Sequence, residues 1–159
     1  MMKTLVVVVL SLFASHATES SLLADDAEKK DKVTLELRLA EEKPAEGLTR
    51  KMMRDGSKTV YLHAQPVITN EHFAEVRQHR SRHTPELDAF SLEFTLTDDG
   101  GKLLERMSEG HQGRPLAILL NGEVVAAPIV RTKVGKKGVI TGGLSSEEIL
   151  EIVDAFSKR

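Results

Sequence analysis

Three histidines, His72, His79 and His83, stand close together, and the last two have the i, i+4 spacing with which a helix can present two imidazoles to one metal ion. Against that chemistry, Arg80 and Arg82 lie between them and repel a cation, and no Glu follows His79 as a zinc-protease motif requires. Pro85 also limits the helix. His79 and His83 are therefore weak metal candidates, and no metal site is expected. Arg77, Arg80 and Arg82 form a local basic patch able to take an anion, but arginines also suit the solvated, negative end of a helix. Asp98-Asp99 and Glu147-Glu148 are the carboxylate pairs to test for acid–base work. Both fall at expected helix starts, where negative groups stabilise the dipole and satisfy free N–H groups.

Other reactive patterns are incomplete. Gly100-Gly101, Gly135 to Gly138 and Gly142-Gly143 lack the spacings of either phosphate-binding glycine motif, so turns account for them. Ser145 and Ser146 lack the G-x-S-x-G frame of a hydrolase elbow. No catalytic residue and no cofactor is expected. The chain has no Cys, which excludes thiol catalysis, disulfides and thiolate metal sites. With 22 Lys plus Arg against 24 Asp plus Glu, the formal net charge is −2 at pH 7, so no general attraction to nucleic acid or anionic lipid is expected. Aromatics make up 4% of the 159 residues, with one Tyr and no Trp, leaving few platforms for stacking bases.

The elements that must carry these residues begin after an export signal. Lys3, the apolar run from Leu5 to Ala14, and Ser15-His16-Ala17 fit a signal peptide over residues 1–17, cleaved after Ala17. The alternative is a retained membrane anchor, but the run is about half the roughly 20 residues that cross a bilayer, so no membrane span is expected after signal removal. Residues 18–31 are polar and aperiodic, as in a flexible tether. Residues 32–58 read as a strand, in which Val33, Leu35, Leu37 and Leu39 alternate with more polar residues, plus a long connection with a short helical turn around Met52 and Met53.

From Thr59 onward the pattern is regular. A strand at Thr59 to His63 precedes a helix capped by Thr69 or Asn70, with Phe73 and Val76 facing inward. Phe90, Leu92, Phe94 and Leu96 mark the clearest strand. Asp98 can cap the next helix, whose apolar side holds Leu103, Leu104 and Met107. Leu116 to Leu120 suits a central strand, Asn121-Gly122 a tight hairpin, and Glu123 to Val130 the returning arm. Pro128 cannot donate to a ladder, so it implies an edge or a bulge. Extended structure resumes at Val139 to Thr141. Ser145 and Glu148 form a capping box for the last helix, with its apolar stripe Ile149, Ile152, Val153 and Phe156. The expected class is α+β: an antiparallel or mixed β-sheet with about three helices packed mainly on one face.

The chain from Thr59 resembles the periplasmic head domain of the protein-translocase subunit SecD. The resemblance rests on YLHAQPVIT (Tyr61 to Thr69), FSLEFTLTDDGGKLLERM (Phe90 to Met107), GRPLAILLNGEVVAAPIV (Gly113 to Val130) and ITGGLSSEEILEIVDAF (Ile140 to Phe156). VTLELRLAEE (Val33 to Glu42) is similar to the strand that precedes this head in SecD. The resemblance implies a SecD-head-like α+β domain over residues 59–159, no enzyme chemistry, and contact with exported polypeptide or translocase components. SecD continues into membrane spans beyond its final helix, so the expectation is a freestanding exported module in the periplasm or medium. The rival readings are an exported metal-binding protein or hydrolase using His79 and His83, and a structural envelope domain.

Overall fold

In the computed structural model, which describes residues 32–80 and 90–158, eight strands and two helices follow one another. They are β1 (Leu35–Glu41), β2 (Thr49–Met52), β3 (Thr59–Leu62), β4 (Phe73–Arg80), β5 (Phe90–Leu96), α1 (Asp98–Glu109), β6 (Leu116–Leu120), β7 (Glu123–Ala126), β8 (Lys137–Thr141) and α2 (Ser146–Ser157). The expected signal and tether, Pro85 and His83 lie outside the described residues. Among the described residues no helix is long and apolar enough to cross a membrane.

The class is α+β, with two antiparallel sheets rather than one. The first has the order β2-β3-β1-β6-β7, so the leucine-alternating β1 is its central strand, paired with β3 and, over five residues, with the continuously apolar β6. Leu35, Leu37, Leu116 and Ile118 pack into the main core with Phe94, Leu104, Ile149 and Ile152. On the opposite face of this sheet, Ala40, Val60, Leu62, Ala117, Leu119 and Val124 form a smaller cluster. The second sheet has the order β4-β5-β8, and α2 packs on β4 and β5. Phe73 joins these layers, edge-to-face with Phe94 at 5.6 Å and with Phe156 at 5.5 Å.

Two elements differ from expectation. The helix expected after Asn70 is a single 3-10 turn, Asn70–His72, followed by strand β4, so the helices number two instead of about three. Phe73 and Val76 do both face inward, but a register shift between Phe73 and Glu75 places residues three apart on one face of a strand. The polar run from Arg77 to Arg80 then lies on exposed strand positions, held by pairing with β5 that local periodicity does not encode. Likewise Met52 ends strand β2, which pairs with all of β3, where a helical turn was expected.

The turn and capping signals form with one shift, at the start of α1. Asn121 and Gly122 take φ of 50° and 83°, the left-handed pair that a two-residue hairpin needs. Pro128 follows edge strand β7, opposite which the register shifts between Ile118 and Leu119. Ser145 accepts from the Glu148 N–H at 3.2 Å while Glu148 accepts from the Ser145 N–H at 2.8 Å. At α1 the cap is Thr97, whose hydroxyl accepts from Gly100, and Asp98 is the first helical residue. Leu104 is buried on α1, whereas Met107 remains 37% exposed.

Candidate functional site

A groove of about 220 Å³ opens where the two sheets diverge. Its floor is the core face of β1 and β6 (Leu37, Leu116, Ile118) together with Phe94 of β5 and Leu104 of α1. One wall is β8, through Gly138, Val139 and Ile140, and the other is the segment from Pro128 to Val134 that carries the chain from one sheet to the other. Gly138 matters here for space: a Cβ at this position would come within 2.5 Å of the Phe94 ring, so the glycine lets that ring lie under β8. Ile129 and Val139 keep 39% and 52% of their surfaces exposed, which brings apolar surface to solvent at this side of the molecule. The lining is aliphatic and aromatic except at Arg131 and Thr132. Its volume falls below the roughly 300–1,000 Å³ of small-molecule pockets. That size suits inserted side chains better than a cofactor.

The sheet edges differ in how they are protected. β2 carries Arg50 and Lys51 with all four residues exposed, β7 is bulged and followed by Pro128, and β4 carries Glu75, Arg77, His79 and Arg80. β8, also at the end of its sheet, has Lys137 at its start and then Gly138, Val139 and Ile140. It carries a single charge, as β7 does, but it lacks the bulge of β7, and it borders the groove.

Of the described polar and motif residues singled out in the sequence, only Pro128 and Gly138 line this groove. His79 sits exposed on β4, so the helical spacing that linked it to His83 is not present on the described side, and His83 lies outside the described residues. Arg77 pairs with Glu75 and with Glu93, each at 3.5 Å, and Arg80 lies 5.9 Å from the Phe90 ring centroid. His72 is used locally, accepting the Thr69 N–H on Nδ1 at 3.1 Å. Asp98 pairs with Lys136 at 2.5 Å, which holds its carboxyl below the usual range. Glu148 is held by Arg54, an ion pair across elements that spacing alone does not disclose.

Sequence reading also missed a group made by folding. Glu41 at the end of β1, His63 just after β3 and His111 after α1 meet within 4.8 Å, measured between one ligand-type atom of each. Glu41 Oε1 lies 3.2 Å from His63 Nε2 and accepts from Arg114 Nη1 at 2.9 Å. Burial pushes the Glu41 carboxyl up, and the His63 bond and the Arg114 charge outweigh it, leaving it below its ordinary value. Only tertiary pairing of β1 with β3 and β6 brings the three together.

The match to the family described as SecDF, P1 head subdomain, covers residues 46–153. Among curated relatives, SecD of Rhodobacter capsulatus is 31% identical over 88 residues, covering 55% of this chain and 15% of that protein. SecD of Aquifex aeolicus is 27% identical over 99 residues, 62% of this chain and 19% of that protein. The chain thus spans less than a fifth of the length of these relatives. Of solved structures, SecDF in a super-membrane-facing form matches with a TM-score of 0.61 and 25% identity over 86% of this chain and 20% of that one. A second, from a SecDF described as a membrane component that enhances protein export, matches with a TM-score of 0.58 and 21% identity over 88% of this chain and 70% of that one.

Proposed function

The chain belongs to the SecDF P1 head family, and from that premise we propose that it binds extended segments of exported polypeptide, without catalysis, on the extracytoplasmic side. The observation that carries this reading is the apolar groove beside the weakly charged edge of β8. An extended chain laid along β8 forms main-chain hydrogen bonds with the strand, and alternate side chains then reach the groove. Affinity from the main chain tolerates many sequences, as a protein meeting varied exported chains requires. The relatives named for protein translocation make such a client the appropriate one to test.

The experiment is fluorescence anisotropy with a labelled polypeptide in a permanently unfolded and in a natively folded form. Saturable binding of the unfolded form alone is expected. Absence of binding to the unfolded form, or equal binding to both, overturns the proposal.

A further inference from the structure

We propose that Glu41, His63 and His111 form a binding site for a divalent transition-metal cation of the zinc type. The donor set is two imidazoles and one carboxylate, supplied by three separate parts of the fold and gathered within 4.8 Å. Zinc takes His nitrogen at about 2.0–2.1 Å and carboxylate oxygen at about 2.0–2.2 Å, so two ligands of one tetrahedral ion stand about 3.3 Å apart. His63 Nε2 and Glu41 Oε1 are 3.2 Å apart.

His111 is prepared in the way a ligating imidazole is. It is 1% exposed, and its Nε2 faces two backbone acceptors, the carbonyls of Ala40 at 2.9 Å and Pro115 at 3.0 Å. Two acceptors fix the proton on Nε2 and leave the lone pair on Nδ1. Donation of the second ring nitrogen to a backbone carbonyl is what orients metal-binding histidines and raises their basicity. His63 stands edge-on to it with ring centroids 5.9 Å apart, and its side chain is half-exposed. A depression of about 310 Å³ lined by His63, Pro66, Val67 and Met107 adjoins the group on its His63 side.

Arg114 is the opposing feature. Its Nη1 bonds Glu41 Oε1 and its Nη2 donates to the Gly110 carbonyl at 2.7 Å, so a cation competes with a guanidinium for the same carboxylate. That competition distinguishes a metal site from a structural ion-pair cluster: neutralising Arg114 must strengthen the former and weaken the latter.

The test is calorimetric titration of the protein with Zn²⁺ near neutral pH, with Mg²⁺ as the hard-cation comparison, since imidazole is a poor ligand for magnesium. One Zn²⁺ per chain is expected, displaced by protons on acidification and insensitive to Mg²⁺. His63→Ala and Glu41→Gln each weaken binding about tenfold or more, His79→Ala leaves it unchanged, and Arg114→Gln tightens it. Circular dichroism of each variant establishes that it is folded. No saturable Zn²⁺ binding, binding lost in His79→Ala, or binding kept in His63→Ala overturns the proposal, as does an Arg114→Gln variant that is folded and binds more weakly.

Discussion

Arg54, in the turn between β2 and β3, grips Glu148 at the start of α2: Nη2 lies 3.1 Å from Oε2, and Nη1 bonds Oε1. The same Nη2 donates to the Gly143 carbonyl at 2.6 Å, and the Arg54 backbone N–H donates to Val124 O at 2.9 Å. One residue thus ties the β2–β3 hairpin, the edge of the first sheet and the capping box of the last helix. Both side chains are partly shielded, at 33% and 23% exposure, so the pair exceeds a fully solvated one while remaining modest. Arg54→Ala is expected to cost about 1 kcal/mol. In a double-mutant cycle measured by denaturant unfolding, the cost falls when Glu148→Gln is already present.

The same pair sets a pH dependence. Burial raises the Glu148 carboxyl, but the Arg54 bond and the Ser145 N–H overcome it and hold the group below its ordinary value. A depressed carboxylate stabilises the fold fully above its unfolded value of about 4.3, and that contribution is lost as pH falls through the lower folded value. Glu41 has the same sign. Melting temperature should therefore drop on acidification below this range, and Glu148→Gln should flatten the drop. An unchanged acid limb in the variant would assign the pH dependence to other groups.

What was legible in the sequence was whatever a short window encodes. The alternation in β5, the Ser145–Glu148 box and the Asn121-Gly122 turn all depend on neighbours within a few residues, and all three form as read. β4 was not legible, because its two buried residues straddle a register shift and its far half is polar. The strand exists through pairing with β5, and tertiary pairing overrides local preference. The groove and the Glu41–His63–His111 group were hidden for a related reason: each assembles residues from strands adjacent in space and distant along the chain.

At the hairpin between β6 and β7, Gly122 holds φ of 83° with nothing within 4 Å of where a Cβ would stand. Space is available, so any penalty must come from the backbone itself. Gly122→Val is expected to destabilise by roughly 1 to 3 kcal/mol, and Gly122→Asn by less, because Asn tolerates the left-handed region. Equal melting temperatures for the two variants would show that the turn has rearranged.

β1 supplies a sharper stability test because it lies between β3 and β6. Leu37 is 2% exposed, accepts the Val67 N–H at 2.8 Å and donates to Ile68 O at 3.0 Å. Leu37→Ala should cost about 2–5 kcal/mol, the range for a buried leucine cut to alanine. Removing residues 1–42 strips the first sheet of its centre and exposes the apolar edges of β3 and β6, so cooperative unfolding should vanish. A truncated protein that still melts cooperatively would mean that the remaining strands re-pair without β1.

The groove makes a separate prediction about binding. Ile129 lies on its wall, is 39% exposed, and bridges to Pro115. An aspartate in its place must lose water whenever an apolar side chain enters beside it, and an unpaired carboxylate resists that transfer. Ile129→Asp should weaken binding of unfolded polypeptide by about tenfold, or about 1.4 kcal/mol. Met52→Asp is the matched control, because Met52 is 58% exposed on β2 and does not line the groove. Both variants add one negative charge, so a loss confined to Ile129→Asp separates the groove from a general effect of charge. Equal losses in the two would point to electrostatics over the whole surface, and no loss in either would move the binding site away from the groove.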